Sequence, residues 1–121
     1  MSIPNEALQK LLQEIEQKAA FSQQQIQIVK AQIAAKNRES RMVQLTSSEL
    51  NTLPKDTNVY EGVGKMFVLN PTEDVKTRLA TETNELKSDI SNLEKKLHYL
   101  ETTYKNSRDN LEQLFKASGS R

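Results

Sequence analysis

The chain has 121 residues, of which 27% are charged, 36% apolar and 5% aromatic, with 3 Gly. That is lean for a globular core and suits one domain of long, solvated helices. With 17 Lys and Arg against 16 Asp and Glu, the net charge of +1 gives no general attraction to nucleic acid or membrane, and the lack of Cys excludes disulfides, thiolate nucleophiles and cysteine metal sites.

The opening residues MSIPNEALQK have no apolar stretch like that of a signal peptide, and no apolar run approaches transmembrane length. The only near match to an N-glycosylation acceptor is Asn70-Pro71-Thr72, which Pro71 disqualifies. A soluble intracellular protein is expected.

The first arm, about residues 5–46, starts at Pro4-Asn5. Its seam reads Leu8, Leu12, Ile15, Ala19, Ser22, Ile26, Val29, Ile33, Lys36, Ser40, Val43. Steps of four and three alternate without a slip, which is the signature of a coiled coil. Lys36 and Ser40 interrupt the apolar seam near its end, as Thr83 does near the start of the second arm. Such polar positions lower stability and help specify register. The plainer reading is that Lys36 snorkels out to solvent.

Residues 47–70 have a different pattern. LTSSELNTLPKD offers Thr46 or Ser47 as a cap, one helical turn through Leu50, and Pro54 as a stop. Val59-Tyr60 then begins a strand, Gly62 and Gly64 punctuate a turn, and Lys65 to Leu69 reads as a second strand. Phe67 and Leu69 fall on one face, Met66 and Val68 on the other. A lone hairpin apolar on both faces is marginal in water, and its edges invite further strands. Other chains are expected to complete it as a larger sheet or barrel.

The second arm, 71–117, starts with Asn70 as cap and Pro71 at the first helical position, or with Thr72 as cap one residue group later. Its seam reads Leu79, Thr83, Leu86, Ile90, Leu93, Leu97, Leu100, Tyr104, Ser107, Leu111, Leu114, and 118–121 is expected to be a disordered tail. Each arm of about 40 residues is roughly 60 Å long. The fold class expected is mainly α: a long antiparallel two-helix coiled coil with one central β-hairpin that joins an intersubunit β-barrel. The chain ends then lie together, away from the hairpin.

No catalytic constellation emerges. His98, the one histidine, follows Leu97 of the seam and should face solvent. EGVGKM is not a phosphate loop, because Val59 stands where the first glycine is needed and Met66 where Ser or Thr is needed. KNRESR is best read as a solvated helix face, interrupted by Glu39. No enzyme, cofactor or metal is expected.

Some apolar residues exceed what a two-helix seam needs. Ile3, Leu11 and Phe115 lie off the seam at the free end of the arms, beside Leu8, Leu12, Ile15, Leu111 and Leu114. Exposed apolar clusters mark binding sites, although frayed tips of a widened seam would look similar. Phe21, Ile28, Ala35 and Met42 recur every seven residues on a non-seam face. This stripe either borders a cavity and touches bound polypeptide, or meets a neighbouring subunit, or packs Met42 on the β body.

Two heptad arms of equal length, one hairpin at their joint and apolar tips resemble the prefoldin family of hexameric holdases. The match is closest in LTSSELNTLPKDTNVYEGVGKMFVLNP and YLETTYKNSRDNLEQLFK. The single hairpin resembles the β-class subunits. The resemblance implies a hetero-hexamer of α- and β-class subunits whose hairpins join in a β-barrel body. It implies that the coiled-coil tips hold unfolded actin and tubulin and pass them to the cytosolic chaperonin without ATP. Assembly then falls to Val59, Tyr60, Val63, Met66, Phe67, Val68 and Leu69. Client binding falls to Ile3, Ala7, Leu8, Leu11, Leu12, Ile15, Leu111, Leu114 and Phe115, with Phe21 and Ile28 of the stripe beside them. The alternative is a structural coiled-coil tether whose hairpin docks one folded partner.

Overall fold

Between Pro4 and Pro54 there is neither Gly nor Pro, and the segment is rich in Ala, Gln, Glu, Lys and Leu. Such a composition supports an uninterrupted helix. The computed structural model describes residues 5–119. It contains helix α1 (Asn5–Thr52), strand β1 (Val59–Val63), strand β2 (Met66–Asn70) and helix α2 (Thr72–Gly119). Each helix has 48 residues.

The expected break near Thr46 is absent. The Thr46 hydroxyl donates to the Met42 carbonyl at 2.9 Å, so it bonds back to the preceding turn instead of capping a new one. Ser47 is half-buried and Leu50 is buried, continuing the alternation of steps from Val43. The heptad pattern outlasts the apolar residues that advertise it. α1 then ends where Leu53 N–H donates to the Leu50 carbonyl at 3.3 Å, just before Pro54.

The start of α2 also differs from expectation. Pro71 C=O accepts from Asp74 N–H at 3.1 Å and from Val75 N–H at 3.2 Å, so Pro71 holds the capping position rather than Asn70 or Thr72. Glu73 and Asp74 occupy the first turn, where carboxylates favour the helix dipole. α2 continues to Gly119, two residues past the expected end of the arm.

The chain divides into two compact units, one of residues 1–32 with 93–121, the other of residues 33–92. In the first, which we call the terminal unit, Ala19, Ser22, Ile26 and Val29 of α1 and Ser107 of α2 are buried. Val29 has no exposed surface. All other seam positions of this unit are half-buried. The Ser107 hydroxyl donates to the Thr103 carbonyl at 3.0 Å, which allows a serine to sit in the seam without an unpaired group.

In the second, the hairpin unit, Leu50, Val75 and Leu79 form the core, with Val43 and Val59 packed on it. Lys36 reaches Asp89 at 3.6 Å. As α1 descends from Leu50 to Lys36, its partners on α2 ascend from Val75 to Asp89, which makes the helices antiparallel here. The Thr83 hydroxyl is satisfied by the Leu79 carbonyl at 2.8 Å. Lys36 is therefore engaged by Asp89, and at 4.0 Å by Glu39, rather than simply released to solvent.

The strands pair antiparallel, Val59 with Asn70, Tyr60 with Leu69, Glu61 with Val68, Gly62 with Phe67 and Val63 with Met66. The turn is only Gly64-Lys65. Gly64 has φ of 61° and is the one described residue in the left-handed region, as a type II′ turn demands of its first central residue. Gly62 is therefore a strand residue, not a turn glycine. A Cβ there would meet Phe67 Cε1 at 3.8 Å, an ordinary contact. The Phe67 ring covers the place where Gly62 has no side chain, a known way to restore a strand weakened by glycine.

Candidate functional site: an unpartnered hairpin and the apolar terminal unit

Strand alternation sorts the hairpin residues. Val59, Glu61 and Val63 share one face with their partners Asn70, Val68 and Met66. Tyr60 and Gly62 share the other with Leu69 and Phe67. The first face meets the helices at its base, where Val59 is half-buried on the Leu50–Val75–Leu79 core. Beside it the Glu61 carboxylate meets Arg78 Nη1 at 2.6 Å and accepts from Asn70 Nδ2 at 2.6 Å. Arg78 Nε also lies 3.8 Å from Glu82, one turn along α2.

This polar cluster escaped sequence reasoning. Three residues from two strands and a helix have no motif to announce them. The Arg78 guanidinium holds the Glu61 carboxyl below the ordinary carboxylate range, chiefly through its hydrogen bond, with burial opposing and Asn70 adding a smaller share. Arg78 is raised in turn, first by its hydrogen bond to Glu61.

The second face is open. Tyr60 is 59% exposed, Leu69 55% and Phe67 76%. Val63, Met66 and Val68, on the clamped face but further toward the turn, are exposed as well. So six of the seven residues expected to mediate assembly stand on the surface of the hairpin unit. Val59 is the exception, because it serves this chain's own core.

Of the residues expected to hold clients, Ile3 lies outside the described residues. Leu8, Leu12, Ile15, Leu111 and Leu114 are half-buried seam residues of the terminal unit, while Ala7, Leu11 and Phe115 are exposed. These residues therefore belong to one unit and include both seam and flank. Phe21 and Ile28 are exposed in the same unit. Their heptad relatives belong to the hairpin unit, where Ala35 is half-buried and Met42 exposed. Met42 lines a groove with Lys36, Glu39, Val43, Leu86 and Asp89.

His98 is exposed, and among the described residues no group of three His, Cys, Asp or Glu side chains could hold a metal ion. No described helix is long and apolar enough to cross a membrane.

Paired helices joined by one such hairpin define a class of subunit, and the comparisons agree on it. The sequence profile described as "Prefoldin subunit" matches residues 13–118. The chain is similar to the probable prefoldin subunit 1 of Schizosaccharomyces pombe, 38% identical over 107 residues, covering 88% of this chain and 96% of that one. It is similar to prefoldin subunit 1 of Mus musculus, 36% identical over 110 residues, covering 91% and 90%. Among solved structures, the prefoldin beta subunit from Thermococcus strain KS-1 aligns with a TM-score of 0.52 at 25% identity, covering 99% of this chain and 97% of that one. This chain belongs to the prefoldin subunit family, and its likeness is to the β-class subunits. Prefoldin subunits are chaperone components that assemble with one another, not enzymes.

Proposed function

We propose that this chain is one subunit of a hetero-hexameric, ATP-independent holdase, built in through its hairpin and gripping unfolded polypeptide with its terminal unit. The observation that carries the reading is the open face of Tyr60, Phe67 and Leu69 on a two-stranded sheet. A monomer leaves that face and both strand edges without partners, and strand pairing with neighbouring prefoldin subunits supplies them. The interface takes Tyr60, Val63, Met66, Phe67, Val68 and Leu69, with Val59 holding the base.

Client binding falls to Ala7, Leu8, Leu11, Leu12, Ile15, Leu111, Leu114 and Phe115, with Phe21 and Ile28 on the flank and Ile3 before the helix. Half-buried seam leucines can serve a client because a coiled-coil end opens more readily than its middle. Six such ends tethered to one body hold a chain through many weak contacts. Unfolded actin and tubulin are the clients, the cytosolic chaperonin receives them, and the site of action is the cytoplasm, with the nucleus as a second compartment.

Native mass spectrometry after co-expression with the other prefoldin-type subunits tests the reading. A hetero-hexamer containing this chain is expected, and Phe67→Asp with Val68→Asp should remove the chain from it. A stable homodimer indifferent to those subunits would overturn the proposal in favour of a coiled-coil tether.

A further inference from the structure

We propose that Glu61 is the positioning residue of the assembly surface: its carboxylate, held between Arg78 and Asn70, clamps the hairpin base to α2 and sets the orientation in which Tyr60, Phe67 and Leu69 meet the neighbouring subunit. The inference rests on the assembly reading above and adds to it a specific device.

The hairpin has little else to hold it. Val59 is its one residue packed on the core of the hairpin unit. At its base, the Thr72 hydroxyl reaches the Thr57 carbonyl at a long 3.4 Å. A sheet joined to a helical body by two chain segments and one apolar contact can swing. Swinging costs binding, because orientational freedom must be removed when the neighbour docks. The Glu61 cluster removes it beforehand. Both carboxylate oxygens are used, one by Arg78 of α2 and one by Asn70 of the partner strand, each at 2.6 Å. The clamp thus ties the two strands to each other and both of them to the helix.

Geometry also fixes which face the clamp offers. Glu61 shares its face with Val59, and alternation sends Tyr60, Gly62, Phe67 and Leu69 to the opposite one. Holding Glu61 against α2 therefore points the apolar face away from the helices that carry it. Charge suits this task better than a larger apolar contact would. A carboxylate bonded to a guanidinium has a preferred geometry, whereas apolar packing tolerates many angles.

The test is competition between tagged wild-type and variant full-length chains for incorporation into the hexamer, read by native mass spectrometry. Glu61→Gln and Arg78→Gln should each lower incorporation about threefold, in line with a partly exposed ion pair. The double variant should lose about threefold again in total, not ninefold, because each single change already breaks the clamp. Hydrogen exchange at Val59–Val63 and Met66–Asn70 in the free chain should quicken in all three variants while helix content stays constant. Losses that multiply in the double variant would mean that the two side chains act separately, and would overturn the clamp. Unchanged incorporation of Glu61→Gln alongside loss with Phe67→Asp would overturn the clamp and leave the assembly reading standing. Unchanged incorporation of both would bring down the two together.

Discussion

At the scale of single residues, the polar groups in unexpected places are informative. Lys36 occupies a seam position, half-buried and tied to Asp89. A partly exposed pair contributes little, whereas a leucine there would bury apolar surface. Lys36→Leu is expected to stabilise the chain by about 1 kcal/mol, visible as a higher melting temperature. Restored specificity has to be checked with it, since a uniform seam invites other registers. Glu61 makes a second prediction. Its folded carboxyl titrates below the ordinary range, so its contribution is fully present above that range and is lost as pH falls through the lowered value. Arg78 stays charged throughout, and Glu82, the other carboxylate on it, is part of the same cluster. After allowance for the intrinsic slowing of exchange in acid, the protection of the hairpin amides should fall on acidification in the wild type before that of the helices does, and Glu61→Gln should begin less protected and change less.

At the scale of elements, the turn and the helix joint give opposed expectations for similar changes. Gly64→Ala puts a Cβ into the left-handed region and should weaken the hairpin by about 1–2 kcal/mol. Gly62→Ala meets only Phe67 at 3.8 Å and should be tolerated, with strand exchange rates slowed or unchanged. Thr46→Pro distinguishes a continuous α1 from two helices capped at this point. Within one helix it removes a bond and clashes with the preceding turn, a loss of about 3 kcal/mol or more. At the start of a new helix it would be harmless. A melting curve that does not move would contradict the continuous helix.

The seam residues, both helices and the presence of one hairpin were legible from sequence, because heptad steps and strand alternation are local periodicities that each residue type reports directly. Less legible were their boundaries. Thr46 carries the signature of a cap, yet its hydroxyl is equally satisfied by the Met42 carbonyl one turn back, and packing of Ser47 and Leu50 decides the matter. Gly62 resembles a turn residue until the register sets Phe67 over it.

For the molecule as a whole, the exposed hairpin face and the apolar terminal unit make separable demands. Leu11→Ser with Phe115→Ser is expected to leave the hexamer intact and to weaken suppression of aggregation of unfolded actin severalfold, measured by light scattering. Phe67→Asp is expected to abolish incorporation, and with it this chain's share of protection. If tip changes dissolved the hexamer, or hairpin changes spared it, the division of labour between the two units would be wrong.

The sequence alone determined the paired helices and the single hairpin between them, since periodicity and composition are properties of neighbouring residues. It also marked the apolar hairpin residues that stand exposed in this chain. Only the tertiary structure decided that Val59 belongs to the chain's own core, and that Glu61, Asn70 and Arg78 come together at the hairpin base. Those contacts join separate elements, and their geometry depends on how the strands fold over α2, which no local pattern encodes.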